Sequence, residues 1–197
     1  LLINPSHVGA FSNLGVSLWK LGRLEEALEC YQSVIEIEPD NAKVYVNQGV
    51  TLQNLGRIEE AIDCHSRAIR IAPQFIEAYH SLGNAFVALG QLEEALEIFE
   101  TVDTPYCRAK ALECLYSLKE YEKFYEELIA HKDDYATNIR AVAISAFVSQ
   151  QLGRDDPLSF CKFPLDFVSI YRSLNGMPDA EDFLGKLINE LNSLSAI

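Results

Sequence analysis

The sequence has few basic residues and no long apolar stretch. None of its unbroken apolar runs approaches the roughly 20 residues that a membrane-spanning helix needs, so we predict no membrane span. Lys and Arg number 16 against 29 Asp and Glu, which gives the 197 residues a net charge of −13. Affinity for nucleic acid depends on Lys and Arg that displace counterions from phosphates. We therefore predict no nucleic-acid partner.

Cysteine is also scarce. Five cysteines do not make a disulfide scaffold in a chain of this length, and an odd number leaves at least one thiol unpaired. Together with the absence of a signal-peptide pattern, this predicts a reduced, cytoplasmic protein. Apolar residues make up 49% and aromatic residues 10% of the chain, which excludes disorder and predicts one or two globular domains with a sizeable core.

The sequence repeats with a period of 34 residues. The block Leu-Gly-Arg-Leu-Glu-Glu-Ala at 21–27 recurs in closely similar form at 55–61 and 89–95. Other residues return at the same interval: Gly15, Gly49 and Gly83; Pro5, Pro39 and Pro73. A period of this length is typical of stacked supersecondary units.

Each period has the apolar spacing of two helices. In the first period the apolar residues form two stripes: Phe11, Leu14, Leu18 and Leu21; then Leu24, Ala27, Leu28, Tyr31, Val34 and Ile35. We predict that Gly22 ends the first helix and that the segment 39–41 ends the second. The small residues Gly15 and Ala27, with their equivalents, allow the paired helices to approach closely.

This pattern resembles the tetratricopeptide repeat, which has an aromatic residue, Leu-Gly, a second aromatic, Ala, a third aromatic and Pro. The matching residues in the three periods are Phe11, Leu14, Gly15, Leu18, Ala27, Tyr31 and Pro39; Tyr45, Gln48, Gly49, Leu52, Ala61, His65 and Pro73; and Tyr79, Leu82, Gly83, Phe86, Ala95 and Phe99. The resemblance implies an all-α fold, a right-handed superhelix of helical hairpins that forms a solenoid.

We divide the chain into three parts. Residues 1–102 contain three regular repeats, with the tail of an earlier one at 1–7, so at least one further repeat is expected before Leu1. Residues 103–156 contain degenerate repeat-like helices, because blocks at 118–124 and 152–156 only partly match the motif. Residues 157–197 combine an irregular segment with an amphipathic helix at 179–194, which either caps the solenoid or begins a following domain.

The charges are unevenly distributed between the two kinds of helix. The predicted first helices, 8–21, 42–55 and 76–89, contain only Lys20, Lys43 and Glu77 as charged residues, whereas the other acids of the repeats lie on or beside the second helices. In the resembling family the first helices line a concave groove, which implies a nearly neutral groove and an acidic back. The stripe opposite the buried one supplies the candidate peptide-binding residues Ser12, Asn13, Val16, Trp19, Lys20, Val46, Asn47, Val50, Gln53, Asn54, His80, Ser81, Asn84 and Val87.

Two asparagines of this stripe, Asn13 and Asn47, lie one period apart. An asparagine side chain both donates and accepts hydrogen bonds, so such a ladder can hold an extended peptide by its backbone. The pair resembles the asparagine ladder of O-linked N-acetylglucosamine transferases, interrupted here by Ser81; ordinary solvated residues are the alternative. The family's basic clamp for chaperone C-termini is matched only at Asn47. Trp19 is either an exposed groove anchor or packs against a neighbouring helix.

We predict no catalytic residue, metal site or cofactor in this chain. The sequence contains no phosphate-binding glycine loop, no serine nucleophile elbow and no cysteine pair at zinc-finger spacing. Cys64 and His65 occupy repeat positions held elsewhere by small apolar and aromatic residues, so packing explains both. The paired glutamates that begin each second helix are explained by the helix dipole.

Two functions are consistent with these observations. The first is an interaction scaffold that binds a peptide or protein segment in the groove, with a possible dimer through the solenoid ends. The second is the recruiting region of a larger enzyme, an oxygenase, glycosyltransferase or sulfotransferase, whose active site lies beyond residue 197. Residues 160–168 and 183–190 are similar to the lead-in of iron and 2-oxoglutarate oxygenase domains that follow such repeats in bacterial proteins.

Overall fold

The computed structural model describes residues 5–135, together with 141, 144, 145, 148, 149, 152–155, 157 and 158. These residues contain nine helices and no strand. The helices are α1 (Pro5–Lys20), α2 (Leu24–Ile37), α3 (Ala42–Asn54), α4 (Ile58–Ile71), α5 (Ile76–Leu89), α6 (Leu92–Thr101), α7 (Pro105–Ser117), α8 (Tyr121–Ala130) and α9 (Lys132–Tyr135). The chain divides after Arg108 into two compact units.

The first unit is a row of helical hairpins. Helix α1 packs against α2, α3 against α4 and α5 against α6, and each hairpin also packs against the next through α2 with α3 and α4 with α5. The three first helices are neighbours as well, because α3 contacts both α1 and α5. One face of the row is therefore formed by α1, α3 and α5.

Three glycines at equivalent positions end the first helices. Gly22, Gly56 and Gly90 have φ angles of +75°, +77° and +76°, in the left-handed region that glycine adopts without a steric penalty. The backbone N–H of the residue after each glycine donates to a carbonyl five residues earlier, as Arg57 does to Leu52 at 2.9 Å. This is the helix-ending geometry predicted for Gly22.

The predicted boundary at 39–41 is also confirmed. Helix α2 ends at Ile37, and the Asn41 side chain caps α3 by accepting a hydrogen bond from the backbone N–H of Val44 at 3.3 Å. The first turns of α2, α4 and α6 each contain two glutamates, as predicted, where carboxylates favour the positive end of the helix dipole.

In each hairpin of the first unit, a ring on the second helix packs against a glycine on the first helix. A Cβ atom added to Gly15, Gly49 or Gly83 would lie only 2.5, 2.4 or 2.5 Å from the ring of Tyr31, His65 or Phe99, respectively. The alanines at equivalent positions of the three second helices are fully buried: Ala27, Ala61 and Ala95. The predicted close approach of paired helices is thus confirmed, and a side chain on any of these glycines would overpack the contact.

One prediction about α1 is wrong. Phe11, Leu14 and Leu21 were assigned to a buried stripe, but they are 36%, 48% and 72% exposed. The equivalents of Phe11 and Leu14, Tyr45 and Leu82, are only 5% exposed, because the preceding hairpin packs against α3 and α5. Leu89, the equivalent of Leu21, is also exposed. No hairpin precedes α1 among the described residues, so this face of α1 has no covering helix there.

The second unit has larger side chains at the repeat positions that are small in the first unit. Leu112 of α7 and Leu128 of α8, which correspond to the glycine and ring positions of the earlier hairpins, are both buried, and Phe124 fills the alanine position. Lys119 takes the place of the helix-ending glycine and still has a positive φ of 62°. The block at 152–156 begins in the same way, because Gly153 has a φ of +62° and the Arg154 N–H donates to Ser149. The predicted helix at 179–194 lies outside the described residues.

Candidate functional site

The candidate groove residues of α1 and α3 lie on two neighbouring helices. Asn13 and Lys20 are exposed on α1, and Ser12 and Val16 are partly exposed there. On α3, Asn54 is exposed, whereas Asn47 and Val50 are partly exposed. Within the described part of the chain, the side chains of Asn13 and Asn47 form no hydrogen bond, so their amides are available to a ligand.

Three candidates on α1 and α3 are engaged within the protein. Val46 was placed on the groove stripe, but it is only 7% exposed and packs with Tyr45, Ala68 and Ala78, because α3 is covered by neighbours on two sides. Trp19 packs against the core cluster of the first hairpin, and its indole Nε1 is buried without a hydrogen-bond partner. This contact favours the packing role for Trp19. Gln53 lies with its Oε1 3.2 Å from Nε2 of His65.

His65 is a packed histidine, as its repeat position predicts. It is fully buried on α4, and its Nδ1 has no hydrogen-bond partner. Burial disfavours the charged imidazolium and lowers the pKa of His65 to about 4. The ring is therefore neutral near pH 7 and is not available to a ligand.

Two of the candidates on α5, His80 and Asn84, contact the segment that leads into α7. The His80 ring lies 4.5 Å from the Tyr106 ring, centroid to centroid, and its Nε2 is 3.3 Å from the Thr104 hydroxyl. The Asn84 amide nitrogen lies 2.7 Å and its oxygen 3.0 Å from the Tyr106 hydroxyl. Partial burial lowers the pKa of His80, with an opposing effect from Glu77. Ser81 is partly exposed and Val87 is exposed.

Tyr106 and Thr104 were not among the residues predicted from sequence. The third repeat leads into the fourth after 29 residues rather than 34, so the period gives no register for the first turn of α7. The one signal in the sequence is Pro105, which closes the third repeat early and which the structure places at the start of α7. Pro105 indicates where α7 begins, but it does not indicate that Tyr106 contacts Asn84 on α5.

The second helices of the first two hairpins, α2 and α4, carry most of the acidic side chains of these hairpins. A cleft of about 710 Å³ has Glu25, Glu29, Glu60 and Asp63 in its lining. Arg57 pairs with Glu60 at 2.6 Å and lies 3.9 Å from Glu25. The Cys64 thiol donates to Gln48 at 3.4 Å, and burial raises its pKa to about 11, so the thiol is protonated near pH 7.

The described residues contain no cluster of three or more His, Cys, Asp or Glu side chains that could hold a metal ion. None of their helices combines the length and the apolar character that crossing a membrane requires.

Tetratricopeptide repeat family models match residues 8–41 and residues 40–102. No curated protein sequence matches the chain.

Solved structures of tetratricopeptide proteins share the fold. MamA from Desulfovibrio magneticus RS-1, residues 41 to the end, is 16% identical, with a TM-score of 0.67 over 87% of this chain and 97% of that one. YrrB, described as having an unusual peptide-binding site, is 17% identical with a TM-score of 0.64 over 89% of each chain. The second tetratricopeptide domain of human RPAP3, solved with an HSP70 peptide, is 25% identical with a TM-score of 0.52 over 55% of this chain and 95% of that one. Residues 8–102 of this chain are therefore tetratricopeptide repeats, and the protein has the fold of a tetratricopeptide solenoid.

Proposed function

We propose that this protein is a scaffold that binds an extended segment of a partner protein against the face formed by α1, α3 and α5. The single observation that carries the proposal is the pair Asn13 and Asn47, which lie on neighbouring helices one repeat apart and have no hydrogen-bond partner in the described structure. Each amide can donate to a peptide carbonyl and accept from a peptide N–H. Two such amides fix the backbone of a segment with little demand on its side chains.

Further support comes from the low charge of this face and from a related domain. Helices α1 and α3 carry only Lys20 and Lys43 as charged side chains, each near a helix end, so few ions must be desolvated when a neutral peptide binds. The human RPAP3 domain, 25% identical, was solved in complex with a peptide. Peptide capture is also the step shared by the free scaffold and by the recruiting region of a larger enzyme.

The test uses a phage-displayed library of random dodecapeptides selected on the immobilised chain. We expect binders whose affinity falls about tenfold or more when Asn13 and Asn47 are both replaced by Ala, because two hydrogen bonds to the peptide backbone are lost. Thermal stability of the double variant should stay close to that of the wild type, since Ala is a better helix former than exposed Asn.

The matched control replaces two exposed amides outside the groove, Gln32→Ala and Gln74→Ala. This variant should bind the selected peptides as the wild type does. The proposal fails if the library yields no specific binder, or if the two double variants bind equally well.

A further inference from the structure

The third repeat presents its groove residues differently from the first two. His80 and Asn84 on α5 contact Tyr106 and Thr104, whereas Asn13 and Asn47 on α1 and α3 carry no such contact within the described residues. All of these residues belong to the first compact unit. The difference therefore arises inside one unit, where the chain turns from α6 into α7.

Tyr106 contacts two of the candidate groove residues on α5, Asn84 and His80. Its hydroxyl lies within hydrogen-bonding distance of both the nitrogen and the oxygen of the Asn84 amide, so both functions of that amide are directed at one partner. Its ring stacks on His80 with the planes tilted by 42°, and it meets Phe99 edge to face at 6.4 Å between centroids. The ring and the hydroxyl of Tyr106 thus engage both His80 and Asn84 on α5.

Tyr106 nevertheless has room to leave this position. It is 40% exposed, so its side chain can rotate into solvent, which breaks the contacts with Asn84 and His80. A ligand that reached α5 would have to replace these contacts before gaining its own. A ligand that stops at α3 would not.

We propose that Tyr106 closes the α5 end of the groove and thereby limits the ligand to an uncharged extended segment that spans α1 and α3. This proposal rests on the proposed function. Adjacent helices lie about 8–10 Å apart and an extended chain rises about 3.3 Å per residue, so two helices accommodate a segment of about six residues. Val16 and Val50 offer apolar contacts to its side chains, and no acidic or basic side chain lies in the middle of the stretch.

The test compares peptide length on wild-type protein and on the Tyr106→Ala variant. Two peptides serve as probes. The first is a dodecapeptide from the library selection, with acetylated and amidated ends. The second is the hexapeptide within it that retains most of its affinity. On the wild type we expect the two peptides to bind within about twofold of each other. On Tyr106→Ala we expect the hexapeptide to be unchanged and the dodecapeptide to bind about fivefold tighter, since Asn84 and His80 become available.

The Tyr106→Phe variant separates the hydrogen bonds from the ring. It keeps the stacked ring on His80 but frees the Asn84 amide, so we expect a smaller gain for the dodecapeptide, and it serves in place of Tyr106→Ala if that variant does not fold. The proposal is overturned if the wild type already binds the dodecapeptide much more tightly than the hexapeptide, or if neither variant changes the ratio of the two affinities. Absence of any binding, or binding that does not depend on Asn13 and Asn47, overturns the proposed function as well.

Discussion

At the scale of single residues, His65 shows how a repeat position sets the chemistry of its side chain. The position holds Tyr31 in the first hairpin and Phe99 in the third, and all three rings press on a glycine of the paired helix. The sequence pattern predicts the packing, because a side chain with a ring recurs at this position every 34 residues. It does not predict the contact of His65 with Gln53, since that contact depends on which rotamer each side chain takes between α3 and α4.

The burial of His65 predicts an acid-sensitive fold. The pKa of His65 is about 4 in the folded chain against an ordinary value of 6.5, so the unfolded state binds more protons between these values, and stability is lost as the pH falls through this window. Between about pH 7 and about pH 5, we expect a loss of about 2 kcal/mol from this residue. Urea denaturation at both pH values measures it.

The His65→Phe variant is the matched control, because Phe99 occupies the same position against Gly83. The variant should lose less stability than the wild type over the same pH interval, by about the 2 kcal/mol assigned to the imidazole. An equal pH dependence in both proteins would show that His65 is not the group that titrates.

At the scale of helices, most boundaries were predictable and the lateral contacts were not. The helix ends at Gly22 and at 39–41 follow from local rules of glycine and proline conformation, which act within a few residues. Val46 was wrongly assigned to the groove and Tyr106 was missed, because side chains on other helices contact each of them. A stripe on one helix indicates which residues face outward from that helix, not which neighbour covers them.

The end of α7 provides a test of the helix-ending rule. Lys119 has a φ of 62°, a conformation that costs a side-chain-bearing residue about 1–2 kcal/mol and glycine little. Lys119→Gly should therefore raise the free energy of unfolding by about 0.5–1.5 kcal/mol. Thermal denaturation checks it, with Gly56→Lys as the reciprocal variant, which should lower stability. A less stable Lys119→Gly protein would contradict the rule at this site.

At the scale of the whole molecule, stacking decides which apolar residues are buried. Leu14 and Leu82 occupy the same repeat position, yet the former is 48% exposed and the latter 5%. We expect Leu82→Gln to lower the free energy of unfolding by about 2–5 kcal/mol and Leu14→Gln by less than about 0.5 kcal/mol. Gln is the natural residue at this position in the second hairpin, Gln48, so the helix itself tolerates it. Urea denaturation measures both free energies of unfolding. Equal losses in the two variants would contradict this explanation, because they would require Leu14 to be as buried as Leu82.

The face formed by α1, α3 and α5 is the part of the molecule on which the functional account depends. Sequence placed Asn13 and Asn47 there through a known family pattern, but only the structure distinguishes their open amides from that of Asn84, which contacts Tyr106.

The most direct measurement is an NMR titration that follows the side-chain amide signals of these three asparagines while a selected dodecapeptide is added. The account predicts large shifts for Asn13 and Asn47 and little change for Asn84. Unchanged signals from Asn13 and Asn47 at saturating peptide would contradict it.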